Sequence, residues 1–322
     1  MATKRVLITG AAGFIGFHLA RFLQKCGHHV VGLDNFNDYY PQSLKKDRAA
    51  ILAKEGIEVH EGDINEKGLL LKLCDKGLIS HFVHLAAYAG VRYSMKAPEV
   101  YLRNNIDGFF QVLETIRERP NTKLVYASSS SVYGANQKVP FAVVDPTSKP
   151  ANIYGMTKKT NELMAFSYHH IHNITTVGLR FFTVYGSWGR PDMAYYHFTR
   201  SLFEGKPIDL YNFGNMWRDF THVSDIVAGI SASLELEKGY HLFNLGNNKR
   251  VSLIQFVELI EKAAGKKVQK NLLPMPAGEM VETYADISES QKILGFTPQM
   301  PLEEGLKDFV CWFRDYHKTS IT

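Results

Sequence analysis

The run Gly10-Ala11-Ala12-Gly13-Phe14-Ile15-Gly16 constrains this chain more than any other stretch. The residues before it, Lys4-Arg5-Val6-Leu7-Ile8-Thr9, are short and apolar enough for a buried strand. A helical pattern follows from about Gly13 to Cys26 and stops at Gly27. His29-Val30-Val31-Gly32-Leu33 is then a second strand, ending at Asp34. A strand, a helix and a strand inside about 30 residues must place the two strands parallel. Glycines in such a turn let the backbone approach a pyrophosphate closely, and the helix N–H groups bind that anion. Asp34 can accept hydrogen bonds from ribose hydroxyls and would repel a 2′-phosphate, which favours NAD over NADP.

The alternation continues. Strands are expected at 57–61, 81–85, 123–127 and 175–181, and helices at 66–76, 98–118 and 153–172. This pattern is that of an α/β fold with a doubly wound parallel sheet over residues 1–182. After Phe182 the loops lengthen. Helices are expected near 191–205, 223–234, 253–264 and 302–316, with short strands at 208–211, 242–244 and 268–272. Residues 183–322 thus read mainly as a smaller substrate lobe, with segments near 223–250 rejoining the first domain and 242–245 returning to the main sheet.

Composition narrows the class. Of 322 residues, 45% are hydrophobic and 21% charged, as in a globular chain with an ample core. The net charge of +5 suits an anionic small ligand. The lysines come as pairs such as Lys45-Lys46 and Lys266-Lys267, not as the dense stripe that nucleic acid requires. Cys26, Cys74 and Cys311 form no C-x-x-C, which points to a reducing, cytoplasmic setting. No apolar run of about 18 residues suggests a membrane span. His169, His170 and His172 lack the H-E-x-x-H spacing of a zinc site, so no metal is expected.

Two further stretches carry chemistry. Tyr154 and Lys158 are four residues apart, which on a helix stacks them on one face. An ammonium beside a phenol favours the phenolate; a tyrosine titrating near ~10 needs a shift of about three units to act as a base at neutral pH. With sixteen tyrosines in the chain, about one such spacing is expected by chance, so context has to decide. That context is Tyr126-Ala127-Ser128-Ser129-Ser130-Ser131-Val132-Tyr133-Gly134, which follows the 123–127 strand. Carboxyl ends of strands face the ligand crevice in a doubly wound sheet, so a serine hydroxyl, a phenol and an ammonium converge there. Asp63, after the third strand, is placed either for an adenine contact or for a plain turn.

These motifs together give the whole chain its resemblance. It is similar to the extended short-chain dehydrogenase/reductase family and, within it, to the nucleotide-sugar 4-epimerases, above all those acting on UDP-glucuronate. The matching stretches are 10–16, 85–94 (Leu85-Ala86-Ala87-Tyr88-Ala89-Gly90-Val91-Arg92-Tyr93-Ser94), the serine run, Tyr154 with Lys158, 180–186, 188–192 and 218–221. The resemblance implies a bound NAD, a UDP-sugar in the second lobe and a homodimer built on helices of the first. Implied cofactor contacts are Gly10, Gly13, Phe14, Ile15, Gly16, Asp34, Asn35, Asp63, Ile64, Leu85, Ala86, Ala87, Asn105, Tyr154 and Lys158. Ser129 and Tyr154 face the sugar C4 hydroxyl, and Arg218 stands at a diphosphate-binding position. Ser130, Ser131, Thr183, Arg92, Arg190 and Glu279 complete the expected substrate side. Near Pro276-Ala277-Gly278 the chain lacks an arginine found in galactose-type relatives, and Glu279 replaces a common aspartate.

All such enzymes open with removal of the C4 hydroxyl proton by the tyrosine while hydride leaves C4, giving a 4-keto sugar. The relatives that then eliminate water or lose CO₂ carry carboxylates beside the active hydroxyl residue. Here Ser130 and Ser131 stand instead, which leaves return of hydride to the opposite face, an epimerisation. Arg190 suggests the substrate, since a guanidinium matches a carboxylate bidentately. The expected reaction is interconversion of UDP-glucuronate and UDP-galacturonate. Arg190 pairing with Asp192 stays open, as do a structural or phosphate role for Arg92, epimerisation of another UDP-sugar, and a catalytically silent NAD-binding sensor.

Overall fold

The computed structural model describes residues 2–275 and 280–318. Strand β1 (Arg5–Thr9), helix α1 (Phe14–Lys25) and strand β2 (His29–Asp34) form the first βαβ unit, with β1 and β2 parallel from Arg5 against His29 to Thr9 against Leu33. There follow α2 (Gln42–Lys54), β3 (Glu58–Glu61), α3 (Leu69–Gly77), β4 (His81–His84), α4 (Val91–Ser94), α5 (Pro98–Tyr101), α6 (Gly108–Glu118), β5 (Lys123–Ser129), α7 (Ile153–His172) and β6 (Thr176–Phe181). The remainder comprises β7 (Thr183–Tyr185), α8 (Ala194–Phe203), β8 (Ile208–Leu210), β9 (Trp217–His222), α9 (Val223–Ser233) and β10 (Tyr240–Leu245), then β11 (Arg250–Ser252), α10 (Leu253–Ala264), β12 (Lys270–Leu272), β13 (Glu282–Thr283), α11 (Ser288–Leu294) and α12 (Leu302–Tyr316).

Seven strands make the main sheet in the order β10-β6-β5-β4-β1-β2-β3, every neighbouring pair parallel. Strand order reverses between β1 and β4, which opens a crevice at their carboxyl ends. Alternation along β1 sends its side chains to opposite faces. Val6 and Ile8 join one core with Phe17 of α1 and Ile226 of α9, while Leu7 joins the other with Phe109 and Val112 of α6. The second lobe has its own core, with Tyr195, Tyr196, Phe256, Phe309 and Phe313 buried in it. Its strands are short: β9 pairs with β7 and β13 in parallel and with β11 antiparallel, and β8 pairs with β12. No helix among the described residues is long and apolar enough to cross a membrane.

The structure departs from the sequence reading in several places, the short helices α4 and α11 among them. Helix α2 was not expected, because its buried face is Leu44, Lys45, Arg48 and Leu52, half of it cationic, so the apolar periodicity is lost. The expected 98–118 helix is α5 and α6 joined by a π-helical turn at Leu102–Asp107. Such turns recur at functional sites. Strands β7, β9, β11 and β13 were also unforeseen; they are two to six residues long and carry polar groups such as Arg218 and Asp219.

Candidate active site

A cleft of about 900 Å³ runs from the glycine turn, over the carboxyl ends of the sheet, into the second lobe. At its first end Gly10 has φ +74, and a Cβ there would stand 2.8 Å from the Ala86 nitrogen, against the loop that follows β4. A Cβ on Gly16 would stand 2.1 Å from the Gly10 carbonyl oxygen. Only glycine lets α1 begin so close to the turn. Gly13, its N-cap, offers no side-chain cap, so the first-turn N–H groups remain for an anion. Asp34 accepts N–H bonds from Ala12 (3.0 Å) and Phe36 (3.0 Å). Burial raises its carboxyl above the ordinary range, opposed by the Phe36 N–H and by the charges of Lys45 and Arg48. Phe14, Ile15, Asn35, Ile64, Leu85, Ala86 and Ala87 line the same end. An open helix N-terminus, a cradle that admits no Cβ and a carboxylate at the end of β2 fit a dinucleotide.

Two residues expected at the cofactor make their hydrogen bonds within the protein. Asp63 is set back from the described cleft wall, accepting from the Asn65 backbone (2.8 Å) and from the Asn35 amide (3.1 Å). It orients Asn35, which does line the cleft. Asn105 is buried behind the wall, with its amide bonded to both backbone groups of Tyr88 (2.9 Å each) and to Thr157 (3.0 Å). Asn105 supports Tyr88, which lines the cleft, as does Asn104, the neighbour of Asn105.

At the middle of the cleft, β5 ends on Ser129 and α7 begins just after Asn152, whose side chain caps the Gly155 N–H (2.8 Å). Gly155 admits close passage, since a Cβ would meet the Ser131 carbonyl at 2.5 Å. Tyr154 and Lys158 therefore lie one turn apart beside the serine loop, and Ser129 hydrogen-bonds the Tyr154 hydroxyl. Behind them Arg180 and Glu162 form a buried two-point ion pair (2.7 and 2.9 Å), and Ser128 donates to Glu162 (2.7 Å). That network fixes the strand end carrying Ser129.

The electrostatics differ from the expectation. Burial raises the Tyr154 phenol above its ordinary value; the Ser129 hydrogen bond and the Arg190 charge pull it back only in part. Lys158 donates to the Ala127 carbonyl (2.8 Å), and burial alone brings its ammonium down to about 8. The cation that biases Tyr154 is thus Arg190, from the second lobe.

At the far end, Arg92, Ser130, Ser131, Thr183, Arg190 and Arg218 all line the cleft. Arg92 lies over the Tyr211 ring, 4.9 Å from its centroid, and Arg218 donates to the Trp217 and Val281 carbonyls (2.9 and 3.2 Å). Arg190 follows a loop and makes a two-point bond to Asp192 (3.0 and 2.5 Å), and Tyr39 of the first lobe donates to the same carboxylate (2.9 Å). The ion pair left open by the sequence is therefore present, inside the cleft. Burial would raise Asp192, but the Arg190 charge holds it below the usual carboxylate range. Glu279 lies outside the described residues. Tyr39, Lys45 and Arg48 were missed: Tyr39 lies on the loop before α2, and the buried polar face of α2 leaves no pattern that would have marked the other two.

The sequence profile of the NAD dependent epimerase/dehydratase family matches residues 6–246. The chain belongs to that family. Among relatives of this family member, UDP-glucuronate 4-epimerase 4 of Arabidopsis thaliana is 46% identical over 330 residues, 97% of this chain and 76% of the relative. The crystal structure of a Bacillus cereus UDP-glucuronic acid 4-epimerase, in complex with UDP-glucuronic acid and NAD, is 35% identical with a TM-score of 0.90, covering 97% of this chain and 99% of that one. A UDP-glucose 4-epimerase from Thermotoga maritima, with UDP-glucose, is 25% identical with a TM-score of 0.84, covering 97% and 99%. The epimerase fold is thus shared with both substrate types, and identity is higher with the uronate-named relatives.

Proposed function

We propose that this family member is an NAD-dependent UDP-glucuronate 4-epimerase, converting UDP-glucuronate to UDP-galacturonate through a transient 4-keto sugar. One observation carries the reading. Arg190 reaches the cleft from the second lobe and stands near enough to bias the ionisation of Tyr154. An anion-binding fork thus accompanies the proton-transfer group, which a neutral hexose would not need. The higher identity to uronate-named relatives supports the same reading.

NAD, held at the glycine turn by Gly10, Gly13, Gly16 and Asp34, would supply the hydride acceptor for C4 and the donor for its return. The chain's own groups do the rest. Tyr154 takes the C4 hydroxyl proton as the phenolate, a form that the positive charge of an oxidised nicotinamide would favour against burial, with Ser129 in hydrogen-bond contact to relay it. Lys158, fixed on Ala127, holds the end of β5 against α7 and keeps an ammonium one turn from the phenol. Ser130 and Ser131 offer hydroxyls where elimination or decarboxylation would need a carboxylate. The keto sugar is left to turn over and be reduced on its other face. Thr183 and Arg92 take the sugar side and Arg218 the diphosphate. The α7 stripe with Leu163 and Phe166 exposed, beside Phe110 on α6, supports a homodimer through these helices. A cytoplasmic location agrees with the free cysteines.

A second reading, epimerisation of a neutral UDP-hexose, draws on Asp192. It already engages two of the five N–H donors of Arg190. Incubating the purified protein with UDP-glucuronate or UDP-glucose, without added NAD, separates the two. Formation of UDP-galacturonate is expected. Turnover of UDP-glucose with none of UDP-glucuronate would reject the uronate reading.

A further inference from the structure

The loop that delivers Arg190 is Ser187-Trp188-Gly189. Three successive carbonyls of this loop are gripped by side chains of the cofactor half. His18, two residues after Gly16, bonds the Ser187 carbonyl through Nε2 (2.8 Å). Arg48 of α2 donates through Nη2 to the carbonyls of Trp188 and Gly189. Its Nη1 donates to the Ala12 carbonyl, inside the glycine turn (2.9 Å), and to the Tyr40 hydroxyl (2.8 Å). One planar guanidinium therefore bridges the turn that holds the dinucleotide and the loop that aims the anion-binding arginine.

The loop itself has little freedom. Trp188 sits at φ +60, an unfavourable region for a bulky side chain. Its ring is held against Phe17, Trp312 and Tyr316, with centroids 5.5, 5.3 and 5.0 Å away. Gly189 cannot carry a side chain, since a Cβ would lie 2.0 Å from the Tyr195 hydroxyl. Burial lowers the His18 imidazole to about 4, so it is neutral at pH 7 and donates from Nε2. Arg48 is fully buried, and its Nε has no hydrogen-bond partner among the described residues. A buried guanidinium with an unmet donor costs stability. Stability alone therefore does not account for it, whereas the tie between two loops does.

We propose that Arg48 is a positioning residue that couples the glycine turn to the Arg190 loop, so that the sugar-anion subsite is shaped by the cofactor-binding turn. This rests on the uronate reading above. Because coupling between sites is reciprocal, a sugar anion on Arg190 also stiffens the turn.

Calorimetric titration of the purified holoprotein with UDP-glucuronate and with UDP tests this, using wild type, Arg48→Lys, Arg190→Ala and the double variant. Lysine keeps the charge but not the fork. Arg48→Lys should weaken UDP-glucuronate about tenfold and leave UDP within about twofold. The double variant should bind UDP-glucuronate no more weakly than Arg190→Ala alone. Equal weakening of both ligands, or losses that multiply in the double variant, would overturn the coupling. Should Arg48→Lys fail to fold, His18→Phe removes only the Ser187 bond. About threefold weaker UDP-glucuronate with UDP unchanged then supports the proposal, and equal change in both ligands overturns it. Turnover of UDP-glucose with none of UDP-glucuronate by the wild type rejects the uronate reading, and this proposal with it.

Discussion

The two ends of the cleft are built by different means. The dinucleotide end is made of backbone: three glycines, an uncapped helix start and one carboxylate, all within residues 10–34. The sugar end is made of side chains on loops, with Arg92, Arg190 and Arg218 drawn from separate segments and held by residues far away in sequence. At the first end a Cβ on Gly10 or Gly16 would strike backbone, while the second end is shaped by the contacts of its side chains. Tyr154 stands at the junction, buried by one end and biased by a charge from the other.

This contrast can be broken at several points. The largest effect is expected at the junction. Tyr154→Phe should lower turnover of UDP-glucuronate about 10³-fold, the range of a lost proton-transfer group, while the purified protein keeps its nucleotide by absorbance. Loss of nucleotide instead would show that Tyr154 serves the backbone end. Next is Gly16→Ala. Its methyl group would fall 2.1 Å from the Gly10 oxygen. Thermal unfolding should show a loss of about 3 kcal/mol together with loss of bound NAD. Unchanged NAD content would refute the backbone account of that end.

Asp219, which ties β9 to neighbouring loops, tests the second lobe by pH. Its carboxylate accepts N–H bonds from Asn247, Asn248 and Ala285, yet burial lifts its pKa to about 6. Between about pH 4 and 6 the folded protein keeps a proton that the unfolded chain has released. This group's contribution is therefore fully present below pH 4 and lost as pH rises through 6, a change of about 3 kcal/mol. The stability of wild type relative to Asp219→Asn should fall by that order across the window. Parallel curves would contradict it.

The smallest effect is expected at the anion fork. Arg190→Ala should weaken UDP-glucuronate about tenfold with NAD content unchanged, and should release more UDP-pentose. The guanidinium can hold the C5–carboxylate bond near the carbonyl plane of the 4-keto sugar, out of alignment for loss of CO₂. UDP-pentose no higher than in wild type would leave Arg190 a binding role alone.

What was legible in the sequence follows the same division. The glycine turn, Asp34 and the Tyr154/Lys158 pair are local patterns, and short range is what periodicity and spacing can express. The partner of Arg190 is two residues away and was readable as an alternative; the Tyr39 bond to that same Asp192 spans 153 positions and was not. Arg48 meets Trp188 across 140 positions, on a helix whose buried face is half cationic. Asn105 was assigned to the cofactor by resemblance; its bonds to Tyr88 and Thr157 span 17 and 52 positions and were not readable. The expected Lys158 effect on Tyr154 meets competitors that spacing does not show. Four-residue spacing places two groups on one face, but the Ala127 carbonyl claims the ammonium and burial outweighs charge at the phenol.

The central claim is that the C4 hydrogen leaves as hydride and returns to the same carbon inside one closed site. UDP-glucuronate labelled with deuterium at C4, incubated with the purified protein in ordinary water without added NAD, tests it directly. The account predicts UDP-galacturonate with the label retained at C4. Loss of the label to solvent would mean that C4 exchanges a proton instead, and would contradict it.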